Sequence, residues 1–206
     1  MKKPTSELVF LHGFLGFPSD WDEIRDALQV PSRAPSLTEP LTVEIPSILV
    51  GYSMGGRAAM HLAHKYPDLI KRVILLSSNI GDDNKESRHL LEQFWLQKWT
   101  EIGTEPFLRW WYSQPLFHTL NLEDMLSKRL SNTLKKATRE TELWSLANSP
   151  NYWKIPYPCP VDFLYGEQDQ KYRNILKHIG IPVPGAGHAL HLENPAFLVK
   201  YLKNML

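Results

Sequence analysis

The chain has 206 residues and a formal net charge of +1, with acidic and basic side chains interspersed. This length corresponds to one domain that can bury a sizeable core. The balanced charge excludes a nucleic-acid or membrane surface built on bulk charge. No segment approaches the roughly 20 consecutive apolar residues of a membrane span. We therefore expect neither a nucleic-acid nor a membrane partner.

The first apolar run, residues 8–17, follows two lysines but is broken by His12 and Gly13. A secretory signal would need an unbroken run and a small-residue cleavage site, so we interpret this run as a strand and a loop. Cys159 is the only cysteine, so no intrachain disulfide can form. These features predict a cytoplasmic location.

The chain opens with a predicted buried strand over residues 7–11, a turn, and a helix that ends near Leu28. The backbone N–H of Phe14, in the loop after this strand, is a candidate donor to an oxyanion. We interpret His12 as a structural hydrogen-bonding residue of that loop. Residues 31–40 contain three prolines, which leaves room only for a short strand and a connection before the next element.

The motif Gly51-Tyr52-Ser53-Met54-Gly55 stands between a β-branched apolar run and a good helix former. This is the G-x-S-x-G pattern of the nucleophile elbow in α/β-hydrolases. Its glycines allow strand and helix to approach each other while the serine takes a strained conformation. The pattern predicts Ser53 as nucleophile or proton carrier and the Met54 N–H as a second oxyanion donor. A serine that only caps the helix is the structural alternative.

Alternating strand and helix signals over residues 1–79 and again over residues 151–206 predict an α/β fold with a mostly parallel, doubly wound sheet. Residues 80–150 instead carry helical stretches rich in aromatic residues and no strand signal. We interpret residues 1–79 and 151–206 as an α/β-hydrolase core, and residues 80–150 as an inserted helical lid, called the lid region below. Most of its aromatics are expected to form lid core, and Trp111 is expected near a ligand.

Two further predicted strands, with a helix predicted between them over residues 171–180, each end in a loop with a candidate catalytic residue. Glu167 and Asp169 follow one of them, and we favour Asp169 because the loop needs a few residues to turn back. His188 follows the last strand between small residues, with His191 as the weaker alternative base. A histidine within reach can take the serine proton, and a carboxylate fixes the histidine tautomer. The sequence thus predicts a Ser53–Asp169–His188 triad, with no metal site and no cofactor.

Several segments together resemble one family, the 2-succinyl-6-hydroxy-2,4-cyclohexadiene-1-carboxylate synthases of menaquinone biosynthesis. The most specific are Gly55-Gly56-Arg57 after the serine and a Trp-Tyr-x-Gln-Pro-x-Phe motif from Trp111. The resemblance runs over most of the chain through residues 11–14, 51–57, 111–117, 128–132, 165–172, 187–188 and 193–195.

This resemblance implies a lyase in which the serine–histidine pair abstracts a proton and pyruvate is eliminated. It implies a small-molecule substrate with several carboxylates, bound by residues matching Tyr52, Arg57, Trp111 and Arg129. Arginines suit that role because a guanidinium can bind a carboxylate through two parallel hydrogen bonds. The chain departs from the family in two places. An Asp-x-Pro-Gly-His-Gly segment and its helix are missing between Leu28 and Ile45, and only Arg88 stands where a pair of lid arginines is expected.

Two other functions remain open at this point. A carboxylesterase or thioesterase would use the same triad, and only pocket chemistry would distinguish it from the lyase. A non-catalytic binding protein of the same fold would be favoured by a missing triad residue. Fold alone cannot decide, because one scaffold hosts many reactions. The oligomeric state is not predicted.

Overall fold

The computed structural model describes residues 6–206. Its centre is a sheet of six parallel strands in the order β2-β1-β3-β4-β5-β6. The strands are β1 (Glu7–Leu11), β2 (Ser32–Arg33), β3 (Ser47–Tyr52), β4 (Ile70–Leu76), β5 (Val161–Gly166) and β6 (Ile181–Val183). This sheet confirms the predicted α/β class and the α/β-hydrolase fold.

Nine α-helices, within residues 6–206, surround or cover the sheet. They are α1 (Asp22–Leu28), α2 (Met54–Lys65), α3 (Lys85–Ile102), α4 (Thr104–Tyr112), α5 (Leu122–Arg129), α6 (Leu134–Trp144), α7 (Gln170–Leu176), α8 (Leu190–Glu193) and α9 (Pro195–Lys203). None of the helices in this range is both long enough and apolar enough to cross a membrane.

Both faces of the sheet are buried, because helices cover each of them. Successive strand residues point to opposite faces, so Val9 and Leu11 of β1 belong to the apolar cluster that includes α2 and α7, whereas Leu8 and Phe10 belong to the cluster that includes α1 and α9. Near-continuous apolar strands are typical of parallel sheets covered on both faces. This arrangement explains why the strand segments show apolar runs without alternation.

The parallel pairing brings the carboxyl ends of the strands to one edge. Leu11 at the end of β1 pairs with Gly51 in β3, and Gly166 at the end of β5 pairs with Val183 in β6. The loops that follow β1, β3, β5 and β6 therefore leave the sheet on the same side. This is the edge at which α/β proteins bind their ligands.

Residues 34–46, the shortened connection between β2 and β3, form no helix. Leu37, Leu41 and Val43 instead insert into the core on the α2 side. The Leu37 N–H donates to His12 Nε2 at 3.3 Å, and the Leu37 carbonyl accepts from Trp144 Nε1 at 2.7 Å. An apolar loop held by two side chains thus fills this part of the core.

The lid region contains α3 to α6 and a short 3-10 helix over Pro115–Phe117, with no strand. Its aromatic residues largely pack against one another, as in the stacked pair Trp99–Phe107, whose ring centroids are 4.6 Å apart. Its separation from the core as a unit stays a prediction.

Candidate active site

Ser53 lies between β3 and α2 with φ +50° and ψ −108°, a conformation that costs free energy for a residue with a side chain. A Cβ on Gly51 would lie 2.5 Å from the carbonyl oxygen of Gly55, so the turn requires glycine at that position. The Ser53 N–H donates to the Leu76 carbonyl at 2.9 Å. These contacts hold the serine at the N-terminus of α2, as the elbow motif predicts.

Asp169 and His188 form a buried pair. The His188 Nδ1 donates to Asp169 Oδ2 at 2.7 Å, and both residues are almost fully buried. The other carboxylate oxygen of Asp169 accepts from the Tyr172 N–H at 3.0 Å and so caps α7. Because Nδ1 is the donor, the tautomer leaves Nε2 free to accept a proton.

A cavity of about 270 Å³ lies beside Ser53 and His188. Eight predicted site residues line it: Phe14, Tyr52, Ser53, Met54, Arg57, Trp111, Arg129 and His188. Asp169 lies behind His188. The structure thus brings all nine predicted site residues together at the carboxyl edge of the sheet. The parts assigned to Phe14 and Met54 as N–H donors stay predictions.

The alternative candidates lie elsewhere. Glu167 is exposed and accepts from the Gly185 N–H at 3.3 Å. His12 is buried, and its Nδ1 donates to the Gly13 carbonyl at 2.8 Å; burial, opposed by that bond, lowers its pKa to about 4. His191 is buried between the rings of Trp21 and Tyr52. Both of its nitrogens lack hydrogen-bond partners among residues 6–206, and burial lowers its pKa to about 3.

Aromatic rings form one wall of the cavity. Trp111 contacts Phe14 and Trp95 edge-on, with ring centroids 5.1 and 4.9 Å apart. The Phe117 ring lies 5.6 Å from the His188 ring. Tyr52 completes the wall, 5.3 Å from His188, and burial raises its pKa well above the usual value. Trp111 lines the cavity, and its contact with a ligand stays a prediction.

Arg57 is the most unusual side chain in the cavity because it is 5% exposed and makes no ion pair with residues 6–206. Its Nε donates to the Trp144 carbonyl at 2.6 Å. Burial and the neighbouring charge of Arg88 lower its pKa to about 10, partly opposed by Glu92. A buried cation without a carboxylate is costly, and the open cavity is where a ligand carboxylate would meet it.

Arg129 has a different environment. Its Nη1 and Nη2 donate to the two Asp20 carboxylate oxygens, both at 2.8 Å, and its Nε donates to the Tyr112 hydroxyl at 3.3 Å. Burial disfavours the charge on Asp20, but Arg129 outweighs it and lowers the Asp20 pKa. Arg129 therefore lines the cavity as one half of an ion pair. Its role as a substrate clamp stays a prediction.

Sequence reasoning did not assign two further cations that line the cavity, Arg88 and Lys171. Arg88 was noted only as matching a family expectation. Its Nε donates to Glu92 at 2.7 Å, and Glu92 also accepts from Ser145. The sequence signal that was available is the spacing of Arg88 and Glu92, four residues apart on one helix, which indicates that their side chains pair. No group of three or more His, Cys, Asp or Glu side chains suited to a metal occurs in residues 6–206.

Comparisons with known proteins identify the family. The profile of the alpha/beta hydrolase family matches residues 34–201. A putative 2-succinyl-6-hydroxy-2,4-cyclohexadiene-1-carboxylate synthase from Haemophilus influenzae is 31% identical, with 97% of this chain and 96% of the relative covered. The synthase of Escherichia coli K12 is 30% identical over 97% and 93% of the two chains. The chain therefore belongs to the alpha/beta hydrolase family and, within it, to the 2-succinyl-6-hydroxy-2,4-cyclohexadiene-1-carboxylate synthase family.

Solved structures share the fold. The MenH structure from S. aureus superposes with a TM-score of 0.81 at 22% identity, covering 100% of this chain and 94% of that one. A thermophilic esterase from Thermogutta terrifontis superposes with a TM-score of 0.74 at 17% identity, covering 97% and 89%. Proteins named for different activities thus share this scaffold. The residues of the cavity, and not the fold, have to distinguish between these activities.

Proposed function

We propose that this protein is the lyase that eliminates pyruvate to give 2-succinyl-6-hydroxy-2,4-cyclohexadiene-1-carboxylate in menaquinone biosynthesis. Its family membership supports this activity, because relatives at 30% identity over nearly the whole chain carry that name. The observation that carries the proposal is Arg57, a buried cation without a carboxylate partner in residues 6–206, in the same cavity as Ser53. A substrate with several carboxylates would supply that partner.

The triad would act as a base that removes a proton from a carbon atom of the substrate. His188, with its Nδ1 proton held by Asp169, takes a proton through Ser53, and Ser53 takes one from the substrate. The electron pair left on the substrate forms a new ring double bond while the bond to the leaving group breaks. The leaving group departs with that bond's electrons and becomes pyruvate on taking up the proton that His188 now holds. The negative charge that develops is stabilised by the N–H groups of Phe14 and Met54 and by the N-terminus of α2. Asp169 stabilises the imidazolium.

The direct test follows pyruvate release from the precursor of the named product by the purified protein, with lactate dehydrogenase and NADH as the coupled readout. Wild type should turn over, and Ser53→Ala should reduce kcat by at least about 100-fold, within the contribution expected of positioned proton transfer. A wild-type rate equal to that of Ser53→Ala would refute the lyase proposal. The substitution removes one oxygen from a half-buried side chain that lines the cavity and should leave the unfolding transition unchanged.

The second candidate is a carboxylesterase or thioesterase with the same triad. One observation favours it: Asp20 already neutralises Arg129, so one of the two predicted carboxylate clamps has a partner without substrate. A panel of p-nitrophenyl esters of several chain lengths tests this reading. Fast ester cleavage together with negligible pyruvate release would establish the hydrolase in place of the lyase.

The proposal includes a polyanionic small-molecule substrate, no cofactor, no nucleic-acid partner and a cytoplasmic location. The last rests on Cys159, the only cysteine of the sequence, which can form no intrachain disulfide.

A further inference from the structure

Lys171 lies in the first turn of α7, two residues after Asp169. Its side chain lines the cavity that holds Ser53 and also an outer groove formed by Pro115, Leu116, His118 and neighbouring residues. Leu116 and Lys171 are the residues common to both, so they lie where the cavity opens into the groove. Lys171 therefore stands at the mouth of the cavity, exposed to solvent.

The Lys171 ammonium has no acidic partner. Within residues 6–206 it makes no hydrogen bond or ion pair, and its one polar contact is with the face of the Tyr172 ring, 5.5 Å from the centroid. Asp169, the nearest catalytic acid in sequence, has both oxygens occupied by His188 and the Tyr172 N–H. Burial and the charge of Arg88 lower the Lys171 pKa, with Asp169 opposing. The charge of Lys171 is therefore available to a ligand.

Besides Arg129, which Asp20 neutralises, three cations from three separate elements line the same cavity: Arg57 from α2, Arg88 from α3 and Lys171 from α7. In addition to burial, the charge of Arg88 lowers the pKa of both of the others, and the charge of Arg57 lowers that of Lys171. Glu92 is the acid that pairs with this group, through Arg88. About two positive charges thus remain without an ion-pair partner in the described part of the chain, and a ligand with two or more carboxylates would neutralise them.

We propose that Lys171 binds a carboxylate of the substrate at the cavity mouth and determines specificity for a polyanion; this inference rests on the proposed function. Lysine suits this place because its ammonium is a compact charge on a flexible stem. It can meet an incoming anion in the groove and remain in contact as the anion enters. Arg57, which is buried and held by the Trp144 carbonyl, has no such freedom.

The binding test uses the full chain carrying Ser53→Ala, so that no turnover interferes. The probes are benzene-1,3,5-tricarboxylate and its uncharged counterpart benzene-1,3,5-tricarboxamide, with Kd measured by calorimetry. Lys171→Gln should weaken tricarboxylate binding by about 10-fold, the lower end for a hydrogen bond to a charged group because Lys171 is exposed to solvent. The Kd of the tricarboxamide should not change.

Lys177→Gln is the matched control, because Lys177 follows α7, is exposed and does not line the cavity. It removes the same charge and should leave the Kd of both probes unchanged, whereas Lys171→Arg should restore most of the tricarboxylate affinity. Equal tricarboxylate Kd values for Lys171→Gln and its parent, or equal losses for Lys171→Gln and Lys177→Gln, would overturn the inference.

Kinetics with an intact Ser53 give an independent readout. A residue that binds substrate and transition state alike changes KM more than kcat. Lys171→Gln should raise KM for the anionic substrate about 10-fold with kcat unchanged; a fall in kcat at unchanged KM would overturn the binding role. The two proposals fail separately, because absence of pyruvate release by wild type refutes the lyase while the calorimetric comparison still tests Lys171.

Discussion

Asp20 binds both terminal nitrogens of the Arg129 guanidinium at 2.8 Å, whereas Arg57 in the same cavity meets no carboxylate among residues 6–206. The two arginines were predicted as equivalent clamps, but their environments differ. Arg57 carries an unneutralised charge, and Arg129 is half of an ion pair with side-chain exposures of 4% and 6%. Their substitutions should therefore have different consequences.

Arg57→Ala should act mainly on the anionic substrate. A hydrogen bond to a charged group contributes roughly 1.5–3 kcal/mol, so kcat/KM should fall by about 10- to 150-fold. Arg57→Lys should restore only part of this, because an ammonium cannot make the planar two-point contact. The measurement is kcat/KM for pyruvate release, with any cleaved neutral ester as a comparison. Equal losses on both substrates would mean that Arg57 has a structural role.

Arg129→Ala should act mainly on stability. It leaves the Asp20 carboxylate buried without its partner, and breaking a buried ion pair in this way costs about 3–5 kcal/mol. Urea unfolding gives the free energy directly. The control is Arg109→Ala, since Arg109 pairs with Glu105 and Glu123 on the surface and such pairs contribute about 1 kcal/mol or less. If Arg129→Ala lowered the free energy of unfolding no more than Arg109→Ala does, the stabilising role assigned to the Arg129–Asp20 pair would be contradicted.

These two arginines show where sequence reasoning reached its limit. Both lie on predicted helices at positions that match a family motif, and both line the cavity. The sequence could not show that Asp20 reaches Arg129 from 109 residues away. Such a pair depends on how the loop after β1 and helix α5 pack together, which no local pattern encodes.

Asp169→Asn should lower kcat more than Glu167→Gln. Of these two acids, Asp169 is the one that contacts His188, at 2.7 Å. An amide at that position would no longer hold the productive tautomer. Loss of a triad carboxylate in this way can cost as much as about 10⁴-fold. Glu167 is exposed and contacts a backbone N–H of the neighbouring loop, so its variant should stay within about twofold of wild type. The opposite order would move the catalytic acid to Glu167.

Ser53→Ala and His188→Ala should not be additive. The two side chains act as one unit, so each single substitution should cost about as much as the double substitution. The measurement is kcat for the three variants at saturating substrate. A double variant far slower than either single variant would show that the two residues act independently and would contradict the triad.

His191 predicts a pH dependence of folding. Its pKa is about 3 in the folded protein against 6.5 as the usual value. Below pH 6.5 the unfolded chain binds a proton that the folded protein does not, so stability is full above that pH and decreases as the pH falls toward 3. From pH 7 to pH 5 this residue should account for a loss on the order of 2 kcal/mol.

His191→Phe tests this directly, because phenylalanine keeps a ring between Trp21 and Tyr52 and cannot titrate. The free energy of unfolding, measured in urea, should fall between pH 7 and pH 5 by about 2 kcal/mol less in the variant than in wild type. His118→Phe is the control, since His118 is exposed. The same pH dependence in wild type and His191→Phe would mean that His191 is protonated in the folded protein.

The strands β1, β3, β4 and β5 were predictable because each is a largely apolar run followed by glycine or polar turn residues, whereas β2 consists only of Ser32 and Arg33. The elbow was predictable because close backbone approach requires its glycines. Helix ends were less predictable. The helix after β5 was predicted over residues 171–180, but α7 ends at Leu176, and Gly180 closes the turn by donating to the Leu176 carbonyl at 2.7 Å. The connection over residues 34–46 could not be predicted, since its conformation depends on His12 and Trp144, distant in sequence.

The connection over residues 34–46 also limits where this part of the chain can change in length. Leu37 is tied to Trp144, and the Trp144 carbonyl in turn holds Arg57, so a change of backbone at Leu37 would be transmitted to the cavity. Glu39 and Pro40, two and three residues further on, are exposed. The alignment with the Haemophilus relative spans 238 positions against 206 residues here, so the relative carries extra residues. A longer segment at Glu39–Pro40 would therefore disturb Arg57 less than one at Leu37, because Leu37 has to stay within hydrogen-bonding distance of Trp144.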